Sequence, residues 1–229
     1  MTTIGEMATA LAHELNQPLA AIHNNAEAAE IFLSNNPPNL DELSAILSDI
    51  RRDGWLAGEV IRRMRSLLKR HEFKMEQIEL KALLGALGGL LQAVISSYKA
   101  CLLIEVEPGL PLVWGDAVQL QQVFLNLILN GLEAMTDCPI EVREVVVRAM
   151  PSATSWVKIS VTDRGPGFST EKLARLFEPF FMTKEQGMGM GLSICKTIIE
   201  AHGGQLAAEN NSDRGATLRF TLPVNQNPA

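Results

Sequence analysis

At 229 residues, 47% of them hydrophobic, the chain can bury a proper core and has the composition of an ordinary soluble protein. Its net charge of −6 argues against nucleic acid as a partner, because binding a phosphate backbone needs a basic face. Cys101, Cys138 and Cys195 are far apart and form no CxxC pair for zinc or redox chemistry, a pattern that fits a reducing cytoplasm. No stretch approaches the ~20 apolar residues of a membrane span, and the start lacks a signal-peptide pattern, so no direct membrane contact is expected of the chain.

From Ile4 to about Ser34, apolar residues recur at Ile4, Met7, Leu11, Leu15, Ile22, Ala26, Ala29 and Leu33, the period of one long amphipathic helix. Residues 35–39 contain two prolines, which lack the N–H donor of a helix, and read as a turn. The helical period resumes with Leu43, Leu47, Ile50, Ala57, Ile61, Met64 and Leu68, so residues 4–70 form an antiparallel helical hairpin. Two helices bury both apolar stripes poorly, and pairing of two hairpins into a four-helix bundle, hence a homodimer, is expected.

After about Glu72 short β-like runs alternate with helices, which sets the expected boundary: residues 1–72 form an all-α hairpin and residues 73–229 a second domain. The strands are expected at Gln77 to Leu80, Leu102 to Val106, Glu144 to Arg148, Val157 to Thr162, Gly204 to Ala208 and Thr217 to Leu222, with helices at about 81–97, 116–135, 170–177 and 190–202. Strands outnumber helices without a regular βα repeat. That favours an α+β two-layer sandwich over a doubly wound sheet.

Within the first helix His13-Glu14 precedes Leu15-Asn16-Gln17-Pro18-Leu19. Pro18 gives no N–H to the carbonyl of Glu14, and a local bend is predicted there. A helical histidine beside a glutamate is usually a solvated face. The other reading is a nucleophilic imidazole, with Glu14 as the carboxylate that takes the proton of the second ring nitrogen.

In the second domain, helix 116–135 aligns Asn126 and Asn130 at i and i+4. The stripe is either a wet face or a set of amide oxygens that suit Mg²⁺, which leaves part of its shell to substrate phosphates. Strand 157–162 runs into Asp163-Arg164-Gly165-Pro166-Gly167, either a plain glycine turn or a place where backbone approaches a flat ligand and an aspartate accepts from an amine such as adenine N6. Gly187, Gly189, Gly191 and Leu192 lead into a helix, where free N–H groups and the dipole favour phosphate oxygens. Lys184, inside a Gly-, Met- and Phe-rich span that reads as a lid, is placed to meet terminal phosphates. The glycine spacing follows a loop rather than a strand, which disfavours a Rossmann unit. Gly215-Ala216-Thr217 opens the final strand with small residues beside a ligand.

These five elements, in this order and spanning nearly the whole chain, resemble the H, N, G1, F/G2 and G3 boxes of two-component sensor histidine kinases. The HELNQPL and MGMGLSIC runs are most similar to the subgroup of the FixL oxygen sensor and the dicarboxylate sensors. The resemblance implies a dimerisation and phosphoacceptor hairpin followed by a Bergerat-type ATP-binding domain, acting on ATP and Mg²⁺ and passing phosphate to an aspartate of a response-regulator receiver domain. It implies His13 as phosphoacceptor, Glu14 as proton acceptor, Asn126 and Asn130 as Mg²⁺ and phosphate ligands, and Asp163 as the adenine reader. Gly165, Gly167, Gly187, Gly189 and Gly191 would shape pocket and lid. Gln17 replaces the Thr or Asn of many relatives at the position implicated in dephosphorylating the partner, so the resemblance does not extend to that activity. Gly131 replaces a usual alanine, at a helix-propensity cost of up to ~1 kcal/mol. His202 before Gly203-Gly204 reads as a charged, glycine-capped helix C-terminus. A cytoplasmic kinase core is expected, with any sensor upstream or on another protein. The alternatives are a non-catalytic dimeric ATP-binding module and another Bergerat ATPase.

Overall fold

The computed structural model describes residues 4–34, 39–68, 74–153, 155–179, 181 and 191–225. The chain divides into two compact units, residues 1–72 and 73–229. In the first, α1 (Ile4–Ser34) and α2 (Leu40–Leu68) pack as a hairpin. Helix α1 continues through Pro18. Helix α2 starts where Asn39 caps it: the Oδ1 atom accepts from the Glu42 N–H at 3.2 Å and the carbonyl from the Leu43 N–H at 3.1 Å. Asp41 and Glu42 in the first turn favour that start by facing the positive end of the helix dipole. Ile46 and Ala57 are buried, whereas Ile31, Leu33, Leu40 and Leu47 stay exposed, so one hairpin leaves apolar surface uncovered.

The second unit runs β1 (Glu76–Ile78), α3 (Leu80–Ser97), β2 (Cys101–Val106), β3 (Val113–Gly115), α4 (Ala117–Ala134), β4 (Glu144–Ala153), β5 (Trp156–Thr162), α5 (Thr170–Arg175), α6 (Gly191–Ala201), β6 (Leu206–Asn210) and β7 (Ala216–Pro223). Strands β2-β4-β5-β7-β6 form one sheet, parallel only between β2 and β4, and β1 pairs with β3 antiparallel in a separate ribbon. Period-two burial explains the layers. Val157, Ile159 and Val161 on β5 and Leu218, Phe220 and Leu222 on β7 are buried. On the same side of the sheet lie Leu84, Leu87 and Leu91 of α3, which packs on β2, Phe124 and Leu127 of α4, which packs on β4 and β5, and Cys195 and Ile199 of α6, which packs on β6 and β7. The rings of Phe124 and Phe220, 5.5 Å apart and tilted, join α4 to β7. The other face carries exposed cross-strand pairs, Glu105 with Arg148 and Glu209 with Arg219. This is the α+β two-layer sandwich that the pattern predicts.

Differences from the sequence reading are local. The sequence pattern gives no strand at β3, because three residues are too few to show a period. The first strand ends at Ile78 rather than Leu80, since Leu80 opens α3 with its side chain buried. The strand expected from Gly204 begins at Leu206, because Gly203 and Gly204 are taken up in closing α6: their N–H groups donate to the carbonyls of Glu200 and Ile199, each at 2.9 Å. By length and composition α3 is, among the described residues, apolar enough to cross a membrane, which corrects the expectation that no stretch approaches a span. Its leucines instead pack on β2 and α4.

Arg143 ties segments of this unit together. Its guanidinium donates to the carbonyls of Cys138, Tyr98 and Thr136 at 2.9, 2.8 and 2.8 Å, fastening the ends of α3 and α4 to the start of β4.

Candidate functional site

Helix α4 is the backbone of the site, and Asp116 sets its start. Oδ1 of Asp116 accepts from the N–H groups of Val118 and Gln119 at 3.0 Å, and Oδ2 from the N–H of Lys74 at 2.9 Å. With that start, Asn126, Asn130 and Ala134 fall on one stripe at i, i+4 and i+8, about 12 Å from end to end. Asn126 is 1% exposed, and among the described residues neither its amide oxygen nor its amide nitrogen has a hydrogen-bond partner. A buried amide left unbonded costs about 1–3 kcal/mol. Gly191 opens α6 beside it, a Cβ there falling 3.9 Å from Asn126 Oδ1. At the far end of the stripe a Cβ on Gly165 would meet the Ala134 carbonyl oxygen at 3.0 Å. Asn130, half-buried, lies between.

Asp163 leaves β5 at 5% exposure. Its N–H donates to the Ala216 carbonyl at 2.9 Å, and its Oδ1 accepts from the N–H groups of Gly165 at 2.8 Å and Ala216 at 3.3 Å. Two residues bring other elements against it. A Cβ on Gly131 would stand 3.3 Å from the Asp163 Cβ, so the glycine that weakens α4 as a helix lets α4 approach the end of β5. Gly215 holds φ at +83°, and any Cβ there would lie 2.0 Å from the Asp163 carbonyl oxygen. Thr217 follows on β7, its hydroxyl 2.9 Å from that of Thr162.

The structure therefore gathers Asn126, Asn130, Asp163, Gly165 and Gly191 along α4, with Gly167 on the Asp163 loop and Leu192 in the first turn of α6, whereas Thr217, paired with Thr162 of β5, lies on the sheet face away from the helices. Lys184, Gly187 and Gly189 lie outside the described residues. His13 and Glu14 belong to α1 in the other unit, and their side chains also lie outside the described residues. A cleft lined by Ser152, Trp156, Gly203, Gln205 and Thr221 shares none of these positions. Among the described residues no group of three His, Cys, Asp or Glu is placed to hold a metal ion. The unpartnered amide oxygen of Asn126 is the hard neutral donor that suits Mg²⁺ when phosphate oxygens complete its shell, so the residues present fit that ion.

Residues 3–72 match the His Kinase A (phospho-acceptor) domain family, and residues 115–226 the family of histidine kinase-, DNA gyrase B- and HSP90-like ATPases. The solved catalytic domain of the histidine kinase ThkA is 31% identical and aligns over 66% of this chain and 95% of its own length, with a TM-score of 0.56. This chain belongs to the histidine kinase family. The sensor protein FixL of Bradyrhizobium diazoefficiens is 42% identical over 98% of this histidine kinase chain, which spans 44% of FixL's length. ThkA in complex with the response regulator TrrA is 25% identical and covers 97% of the chain and 62% of that structure, at a TM-score of 0.65.

The kinase fold also shows what the sequence reading missed. Asp116 has the signature of an N-cap, an aspartate just before an apolar-periodic run, and was legible on that ground. Asn210 at the end of β6 and Asn211 in the turn after it carry no comparable signal. His23, without a named partner in sequence, pairs with Glu27 at 3.4 Å on an exposed face of α1, and His71 lies outside the described residues.

His202 is a correction: it does not end α6 as a charge. It is 2% exposed, and its Nε2 accepts from the Asp116 N–H at 2.9 Å. The proton is therefore on Nδ1, which donates to the Ile198 carbonyl at 2.7 Å. Burial holds its pKa below the usual histidine value, against smaller opposing effects of the Ile198 hydrogen bond and the Asp116 charge. A lowered folded pKa means that the unfolded chain binds the proton more readily. The stabilisation is fully present above about pH 6.5 and is lost as pH falls from there toward the folded value, with a slope of at most about 1.4 kcal/mol per pH unit. Urea midpoints at pH 7.5 and 5.5 should therefore fall more for the wild type than for His202→Gln. An equal fall in both proteins would remove His202 from the pH response.

Proposed function

We propose that this chain is an ATP-dependent protein histidine kinase core that phosphorylates its own His13 and passes the phosphoryl group to an aspartate of a response-regulator receiver domain. The observation that carries the reading is Asn126, a buried amide without a partner among the described residues, on the helix that faces Gly191 at the start of α6. A protein keeps such a group when a ligand satisfies it. Asp163 would accept from the adenine amine at one end of the α4 stripe, and Asn126 and Asn130 would face the phosphates at the other. Mg²⁺, held through those two amides, supplies neutralisation of phosphate charge when bound. Gly165 and Gly167 keep the base side of the pocket open, and Gly191 and Leu192, with Lys184, Gly187 and Gly189 before them, would line the phosphate side.

Phosphoryl transfer asks a protein mainly for positioning and charge stabilisation. His13 would attack through a neutral ring nitrogen while Glu14 takes the proton of the other, forming a nitrogen–phosphorus bond as the bond to the leaving diphosphate breaks. The complex of ThkA with the response regulator TrrA supports a receiver domain as the next acceptor. The exposed Ile31, Leu33, Leu40 and Leu47 of the hairpin support a second copy of the chain as its partner, in a cytoplasmic homodimer. Incubation with γ-labelled ATP is expected to give a protein-bound label that is labile in acid and stable in base, as a phosphohistidine is. Retained ATP binding with no label would turn the assignment to a non-catalytic ATP-binding module.

A further inference from the structure

Where β6 runs into the turn before β7, Asn210 and Asn211 reach across to the loop that carries Asp163. Asn210 grips Phe168 as a paired strand would: its Oδ1 accepts from the Phe168 N–H at 2.8 Å and its Nδ2 donates to the Phe168 carbonyl at 2.7 Å. The Nδ2 of Asn211 donates to the carbonyls of Asp163 at 3.2 Å and Arg214 at 2.9 Å, while its Oδ1 accepts from the Thr217 hydroxyl at 2.7 Å. Two carbonyl acceptors demand the NH₂ on their side, so the neighbours decide which way this amide points. Thr217, having donated to Asn211, must accept from Thr162, 2.9 Å away. A directed chain of hydrogen bonds thus runs from Thr162 through Thr217 and Asn211 to the main chain of Asp163. The backbone N–H of Asn211 also donates to the Gly215 carbonyl at 2.9 Å, closing the turn that sets Gly215 against Asp163.

We propose that Asn211 is a positioning residue for nucleobase recognition, holding the Asp163 main chain and the Thr217 hydroxyl so that the Asp163 carboxylate is presented to the exocyclic amine of a purine. The inference rests on the reading above in which Asp163 meets the base. The direction of a carboxylate follows its Cα, and the Asp163 Cα is held on one side by the bond to the Ala216 carbonyl and on the other by Asn211. Without the Asn211 amide the Asp163 carbonyl loses a donor in a part-buried place, and the loop must shift to recover one from water.

The test is titration of the 229-residue chain with ATP and with purine riboside triphosphate, which has the same phosphates but no amine at the base. The wild type should prefer ATP. Asn211→Ala should lower ATP affinity about tenfold, the worth of roughly one hydrogen bond, and barely alter affinity for the analogue, so that the preference collapses. Asn211→Asp keeps the size and the acceptor for Thr217 but removes the NH₂ donor, and the same collapse is expected even if the alanine variant folds poorly. A purely structural role would weaken both nucleotides equally and leave the preference intact, and that result overturns the proposal. Asp163→Ala separates the two levels: loss of preference there with retention in both Asn211 variants rejects only the positioning role, whereas retention in all three rejects Asp163 as the base reader as well.

Discussion

His13→Gln is expected to lose autophosphorylation down to background while binding ATP as the wild type does. Glutamine is as good a helix former as histidine or better, so α1 and its packing on α2 should persist. What it lacks is a nucleophilic ring nitrogen, and without an acceptor the transfer has no protein product. ATP binding is expected to survive because His13 belongs to the unit of residues 1–72 and every described residue of the candidate nucleotide site to that of residues 73–229. Labelling by γ-labelled ATP and calorimetric titration of the same preparation measure the two properties separately. Appreciable acid-labile label on the variant would mean that another residue is the acceptor, and loss of ATP affinity would contradict the division of labour between the two units.

Asn126→Leu should move stability and binding in opposite directions. Leucine branches at the same atom as asparagine with the same number of side-chain heavy atoms and no polar ones, so it removes two buried groups that have no partners among the described residues. The nucleotide-free protein is then expected to gain about 1–3 kcal/mol, the cost of a buried unsatisfied group, read as a higher urea midpoint in EDTA. ATP affinity should fall by about 100-fold or more, since a contact to a charged phosphate or its metal is worth roughly 1.5–3 kcal/mol and leucine also leaves the ligand's oxygens unpaired. A lower urea midpoint without nucleotide would show that the amide serves the fold, and the pocket would then need another residue in its place.

How much of this was readable beforehand depended on whether a signal was local. The two prolines of the 35–39 turn and the helical spacing of apolar residues on either side specify the hairpin because breakers and helical period act within a few residues. The same holds for Gly203 and Gly204 at the end of α6, and for the alternation that makes β5 and β7 strands with one buried face. The asparagine pair on α4 and the Asp163-Gly165 turn were legible as unusual polar and flexible residues in apolar surroundings, though the residues alone left open a wet helix face and a plain turn.

Contacts between segments far apart in the chain were decided only by tertiary structure. That Asn126 is buried and, among the described residues, unpartnered follows from how α4 packs against α6 and the sheet. Gly131 reads in sequence as a weakness of the helix, and only the approach of Asp163, 32 positions later, shows what the missing side chain makes room for. His202 is neutral because folding buries it against the N–H of Asp116, a partner 86 residues away that no helix-end rule contains. Asn211 looks like any turn asparagine until the β6–β7 turn lays it across the carbonyl of Asp163. Propensity and periodicity are properties of neighbours along the chain, so the sequence by itself determined the elements, their order and the residue types of the site. Burial and hydrogen-bond partnership arise from neighbours in space, and they exist only once the sheet and its helices have closed.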